Sequence, residues 1–292
     1  MKTTRPRGFV DWAPRMATRE LLDNIDDILH QYRRVLPLSI RQIFYRLVVE
    51  YSFGKTEAGY ERLCETLNRA RRARLLDMDV IRDDGFYLTS IPTFASANDA
   101  IDVYLRHAAN LNVDRQAGQD SRLIVWCEAQ GMKPMLEGVT VAYGVPVASS
   151  GGFDSTTTKH NMANVFAAQM HTEVLHIGDY DPSGVHMFSS LQEDVEAFID
   201  DLGGDVTFTR LAVTPEQRDQ YNLPTAPPKK TDRRSFADTS TVQCEALPPD
   251  VLLEIVENAI VSRIDPDVRE QTLTAEQELR VDLLRRLEEI NP

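Results

Sequence analysis

The feature that most constrains this chain is an alternation of short apolar runs with helix-forming segments between residues 123 and 211. Leu123–Cys127 is a compact apolar run, Lys133–Tyr143 reads as a helix with Pro134 near its first turn, and Val145–Ala148 is a second run. A Gly/Ser loop at Ser149–Ser155, a helix over about Thr156–Met170 and a third run at Val174–Ile177 follow. The order β-α-β-α-β predicts parallel strands joined by right-handed crossovers in one sheet. A helix over Ser183–Leu202 and a strand over Val206–Leu211 continue the pattern. In an open sheet of this kind, ligands bind beyond the C-terminal ends of the strands.

Two of those ends carry carboxylates. Glu128 closes the first run, and Gly178-Asp-Tyr-Asp-Pro-Ser-Gly184 places Asp179 and Asp181 one residue apart after the third. Parallel pairing would bring Glu128, Asp179 and Asp181 to one sheet edge, where a hard divalent cation such as Mg2+ would offset their repulsion. An Asp-x-Asp in a turn also serves simply to bond neighbouring backbone amides. The first turn of the helix from Ser183 faces the same loop and is a good place for phosphate.

The N-terminal third is helical. Thr18–Val35 carries apolar residues at Leu21, Leu22, Ile25, Ile28 and Leu29; Pro37 ends it, and Ser39-x-x-Gln42 is a capping box opening a helix through about Tyr51. Glu57–Leu76 supplies a third helix, and Met78–Thr89, with Asp84-Gly85 inside it, reads as a hairpin. Three helices and a hairpin describe a winged-helix domain. On the second helix the apolar stripe centres near Ile40, and Tyr45 lies about 140° from it. That predicts a solvent-facing phenol with Arg41 one turn before it, a cation that favours phenolate and can bind phosphate. The pair also suits an ordinary helix surface. Arg62, Arg69, Arg71, Arg72 and Arg74 form a basic stripe for a DNA backbone, or keep the helix soluble beside Glu61 and Glu65.

Charge separates the two parts. The net charge is −13, yet residues 1–84 hold 16 Lys/Arg against 13 Asp/Glu, so the acidity lies in the remainder. A mildly basic segment ahead of an acidic one suits a division between phosphate contact and metal binding. Leu223–Arg234 is an extended loop rich in proline, and Lys229 and Lys230 in it are further DNA-contact candidates. The helices expected at Asp250–Ile260 and Ala275–Ile290 read as packing or dimer elements. The longest charge-free stretch, Gly138–Phe153, is broken by Gly, Pro and Ser, so no membrane span is expected, nor is a signal peptide. Three widely spaced cysteines point to a reducing, cytoplasmic setting and no zinc knuckle.

Glu128 followed by the Gly178–Gly184 motif resembles the Toprim fold of topoisomerases, primases and related nucleases. Ser39-Ile-Arg-Gln-Ile-Phe-Tyr-Arg46 resembles the nucleophile motif of the topoisomerase VI A subunit and the meiotic double-strand-break transesterase, with Tyr45 on the covalent-link position. The Gly85 region is similar to that family's wing. The resemblance covers about three quarters of the chain. It departs after Glu128, where Ala129 stands in place of a frequent Lys.

What it implies is an α/β protein: an N-terminal winged-helix domain (residues 1–90), a helix and linker (91–120), and a Toprim domain with a Rossmann-like, mainly parallel sheet (121–292). It implies Mg2+ (or Mn2+) on Glu128, Asp179 and Asp181, double-stranded DNA as substrate, and a homodimer in which the Tyr of one protomer meets the metal site of the other. A separate ATPase subunit would drive strand passage, since no P-loop is present. Two other readings remain: a Toprim nuclease using metal-activated water without a covalent link, and a winged-helix DNA-binding protein with an inactive acidic cluster.

Overall fold

The computed structural model describes residues 9–82, 91, 93–149, 156–168, 171–229, 232 and 234–290. Four parallel strands, β1 (Arg122–Cys127), β2 (Val147–Ser149), β3 (Thr172–Ile177) and β4 (Val206–Ala212), form one sheet in the order β2-β1-β3-β4. Each crossover is helical: α5 (Lys133–Thr140) joins β1 to β2, α6 (Thr156–Ala167) joins β2 to β3, and α7 (Pro182–Leu202) joins β3 to β4, after which comes the short α8 (Pro215–Gln220). Because the chain steps outward from β1 to β2 and then returns to the far side of β1, the switch point falls between β1 and β3. There the flanking loops part and leave a crevice.

Alternation along the strands loads both faces. Trp126 and Val174 pack with Met162, Ala163 and Phe166 of α6 and Leu191, Val195 and Ile199 of α7. Leu123, Val125, Leu175 and Ile177 face the other way, onto Leu136 of α5 and Leu252, Val256 and Ile260 of α9 (Pro249–Val261). Strands buried on both faces read as continuous apolar runs, which is how they stood out in the sequence.

The N-terminal helices are α1 (Met16–Gln31), α2 (Ile40–Glu50) and α3 (Glu57–Arg72). Leu21, Ile25, Ile28 and Leu29 are the buried stripe of α1, spaced 4, 3 and 1 apart. The capping box at α2 forms as expected: Ser39 N–H donates to Gln42 Oε1 at 2.9 Å and Gln42 N–H donates to Ser39 Oγ at 3.2 Å. Buried side chains of these helices and of the second sheet face make one continuous apolar cluster. The expected hairpin begins differently. Met78–Val80 is a 3-10 turn capped by the Asp77 carboxylate, and Ile81 then pairs in parallel with Leu38. Asp84 and Gly85 lie outside the described residues.

α4 (Ala97–Ala109) packs against α10 (Pro266–Ile290), which starts nine residues before the expected Ala275. Asp265 Oδ1 accepts from the N–H groups of Asp267 and Val268, and Pro266 sits in the first turn, so the cap lies upstream of the apolar pattern. Among the described residues no helix is long and apolar enough to cross a membrane.

Candidate active site

Glu128 follows β1 directly, and its N–H donates to Ile177 O at 3.0 Å, locking it beside the end of β3. The next residue on that side is Gly178, and a side chain there would force its neighbours to move: a Cβ would stand 2.5 Å from the Glu128 carboxyl carbon and 2.7 Å from His176 Cε1. Gly184 is under the same constraint, because its Cβ would lie 2.2 Å from the Asp179 carbonyl oxygen. The two glycines let the acidic loop fold tightly over the strand ends. Asp181 caps α7, its Oδ1 accepting from Gly184 N–H at 2.7 Å. Asp179 is turned inward, and its Oδ1 accepts from Cys244 N–H at 2.8 Å.

Beneath the loop lies a group that the sequence reading missed. Arg210, on β4, donates through Nη2 to the carbonyls of Gly178 (3.0 Å) and Asp179, and through Nε to Val213 O at 3.2 Å. It is the one cation inside the apolar pattern of β4, next to the strand that carries the acids. His176 is buried, with Nε2 3.1 Å from Glu128 Oε1 and its ring on Phe188. Burial raises the Glu128 carboxyl to about 7; Arg210 opposes that shift and Asp181 adds to it. Burial, with Arg210 next, drives His176 down to about 3. Asp179 is also raised, by burial first and then by Asp181 and Glu128 against the pull of its Cys244 hydrogen bonds.

The three acids are thus close enough to resist one another's ionisation. Among the described residues, however, no three acidic, histidine or cysteine side chains form a group able to hold a metal ion. By donor chemistry they suit a hard divalent cation: all are carboxylates, and Glu128 Oε1 is buried, with His176 Nε2 3.1 Å away but outside hydrogen-bonding geometry.

Tyr45 is not solvent-facing. It is 5 % exposed, so the expected orientation is overturned. The stripe on α2 identifies only the face packed on α1 and α3; a distant segment, Thr241–Ala246, covers the opposite face. The Tyr45 hydroxyl donates to Gln243 Oε1, the ring stands edge-on to Phe44, and Lys55 Nζ lies 5.6 Å from its centre. Around it, Ser39 Oγ donates to Glu245 Oε1, Arg41 pairs with Glu245 Oε2 at 3.4 Å, and Arg46 donates to Ala246 O. Burial, Asp179 and Glu245 together hold the phenol well above the usual tyrosine value, outweighing Arg41. Arg41 was expected to favour phenolate; here burial reverses the balance, with Asp179 and Glu245 adding to it.

The same segment reaches the acids. Val242 exchanges backbone hydrogen bonds with Tyr180, between Asp179 and Asp181, and Cys244 holds Asp179. Tyr45 and Asp181 consequently line one cavity of about 450 Å3, with Ser183, Lys55, Lys229, Asp232 and Arg234 on its wall, the last two paired at 3.0 Å. Lys55, Gln243 and the Thr241–Ala246 segment carried no motif in the sequence.

The other DNA-contact candidates lie outside this cavity. Arg62 is exposed on α3, Arg69 pairs with Glu65 at 2.7 Å, and Arg71 is half-buried. Arg72 Nε donates to Asn68 Oδ1, and Arg74 stacks on Phe9 at 4.2 Å. Lys230 lies outside the described residues. The fold and site define a doubly wound α/β protein with an acidic crevice at its switch point and a buried tyrosine on the crevice wall. No family model matches the chain, and no curated protein matches it significantly.

Proposed function

We propose that this chain is a DNA-cleaving transesterase of the topoisomerase VI A-subunit type, with a winged-helix segment carrying Tyr45 and a Toprim sheet carrying the acids. The observation that supports it is the single cavity shared by Tyr45, Asp181 and three basic side chains. Lys55, Lys229 and Arg234 would bind a backbone phosphate with the N-terminal turn of α7. Tyr45 Oη then bonds to phosphorus, the bond to the departing deoxyribose oxygen breaks, and the phenolic proton ends on that oxygen as a hydroxyl. The link conserves the ester, so the reaction is reversible. Glu128, Asp179 and Asp181 would hold Mg2+ (or Mn2+), which supplies positive charge to the phosphate oxygens. Double-stranded DNA is the substrate in this reading; a homodimer and a separate ATPase subunit belong to it as partners, in a DNA-associated protein of the cell interior.

One observation favours a second reading. The Tyr45 phenol is buried, bonded to Gln243 and held above its ordinary pKa, which makes proton loss harder. A Toprim nuclease that hydrolyses the ester with water would need no phenolate. Incubation with supercoiled plasmid and Mg2+, then denaturation with and without protease, separates the two. Transesterification gives protein-linked DNA ends that vanish in Tyr45→Phe. Cleavage that persists in Tyr45→Phe with no adduct selects hydrolysis. Retained DNA binding without any cleavage leaves the inactive winged-helix protein.

A further inference from the structure

We infer that Arg210 is a positioning residue of the metal site: its guanidinium fork sets the backbone of the Asp179–Asp181 loop so that the acids stand ready for the ion. This rests on the metal-binding part of the transesterase reading and extends it to a side chain outside the acidic motif. β4 delivers Arg210 through a local irregularity. His176 pairs with Arg210 and Ile177 with Ala212, so Leu211 is one residue more than β3 can match. Bulges of this kind re-aim a side chain or end the ladder beside a site.

Beyond the bulge the backbone holds Gly178, whose N–H donates to Ala212 O at 2.8 Å and whose carbonyl accepts from Val213 N–H at 2.9 Å. The next peptide is held by Arg210. Its Nη2 donates to Gly178 O at 3.0 Å and to Asp179 O, and its Nε donates to Val213 O at 3.2 Å. Asp179 is thereby tied at its carbonyl by Arg210 and at its carboxylate by Cys244 N–H, two handles that set the direction of its side chain. Phe188 lies 5.8 Å from the guanidinium and also packs on His176, which keeps the fork in place. A planar fork with fixed donors suits three converging carbonyls better than a single ammonium does. Nη1 is buried without a hydrogen-bond partner among the described residues. An unmet buried donor is costly, so stability alone does not explain this side chain. Removing it would act on an ion in two opposite ways. Losing a positive charge beside Glu128 and Asp179 favours a cation, whereas losing the fork loosens the loop that presents the acids. Geometry outweighs charge here.

The test titrates Mn2+ alone into the full chain and follows the paramagnetic resonance of the free ion, with urea unfolding run on each variant. Arg210→Met should bind Mn2+ about 10-fold more weakly than the wild type, or worse. Arg210→Lys, which keeps the charge and loses the fork, should fall between the two. Where Arg210→Met does not fold, weaker binding by Arg210→Lys carries the inference. Arg263→Met is the control for lost stability, since it breaks a 2.7 Å pair with Glu173 on β3 away from the acids. It should unfold at lower urea and keep wild-type Mn2+ affinity. Wild-type or tighter affinity in a folded Arg210 variant, or an equal loss in Arg263→Met, overturns the inference and leaves the metal site standing. A wild-type chain that binds no Mn2+, or binding that survives in Glu128→Gln/Asp181→Asn, overturns the metal reading itself and this inference with it.

Discussion

Asp181 of the acidic loop and the phenol on α2 border the same cavity, held there by different kinds of contact. The acids are placed mainly by local structure: strand, glycine, Asp-x-Asp and capped helix within Thr172–Leu202, plus one neighbouring strand, with Asp179 also held by Cys244 of the distant segment. The phenol is placed by residues about 200 positions away, from Thr241 to Ala246. Local placement rests on steric fit and should fail abruptly when that fit is lost. Distant placement rests on several polar bonds and should fail by degrees.

The largest expected effect tests the local side. In Gly184→Ala the new methyl meets a backbone carbonyl at 2.2 Å, and in Gly178→Ala a buried carboxylate at 2.5 Å. Each should cost about 3 kcal/mol or more in urea unfolding, with Gly184→Ala the worse because backbone cannot swing aside. Gly138→Ala in α5, where a Cβ meets nothing within 4 Å, should instead gain about 0.5–1 kcal/mol. Equal effects at the three positions would show that the loop is not tightly packed.

The next effect is electrostatic. Glu128 is raised in the fold, so its contribution is present at low pH and is lost as pH rises from the unfolded value near 4.5 to about 7. Full loss is about 3 kcal/mol. His176 is depressed, so its contribution is present above about 6.5 and is lost as pH falls toward about 3. The slopes oppose one another between roughly pH 4.5 and 6.5. In chelator, Glu128→Gln should therefore lack the part of the wild type's fall between about pH 4.5 and 7 that Glu128 supplies, leaving only the share of the other raised acids, Asp179 and Glu245. Added Mg2+ should stabilise the wild type at pH 8 and leave Glu128→Gln nearly unchanged, as expected when only the folded state binds the ion. Parallel pH curves for the two proteins would remove Glu128 from the buried acidic group.

The difference between the two regions also explains what could be read from the chain. β1, β3, the Ser39 capping box and the acidic loop were legible because each is specified by adjacent residues. Tyr45 was misplaced because a helical stripe reports one packed face and carries no information about a second cover. Arg210 was passed over because a lone cation in a strand has meaning only once the neighbouring strand, with its exposed carbonyls, is known. The early start of α10 was missed for a smaller reason: its cap, Asp265-Pro266, precedes the apolar periodicity used to find it.

Gln243 measures how strongly the distant cover acts. Gln243→Leu keeps much of the volume and removes the acceptor of the Tyr45 hydroxyl, leaving a buried donor unpaired at a cost of about 1–2 kcal/mol. Tyr45→Phe in that background should recover most of the loss, since the orphaned hydroxyl is then gone. Strictly additive losses would mean the phenol and the amide do not interact in solution.

The smallest structural effect is expected on α3. Arg69 is half exposed, pairs with Glu65 one turn earlier and lies 6.0 Å from the Trp12 ring. Exposed pairs of this kind contribute little, so Arg69→Ala should change stability by no more than about 0.5 kcal/mol. Its effect on DNA affinity separates the two roles open to the arginine cluster. A phosphate contact would lower the slope of log affinity against log salt by about one while weakening all sequences alike. An unchanged slope would assign Arg69 to the helix surface alone.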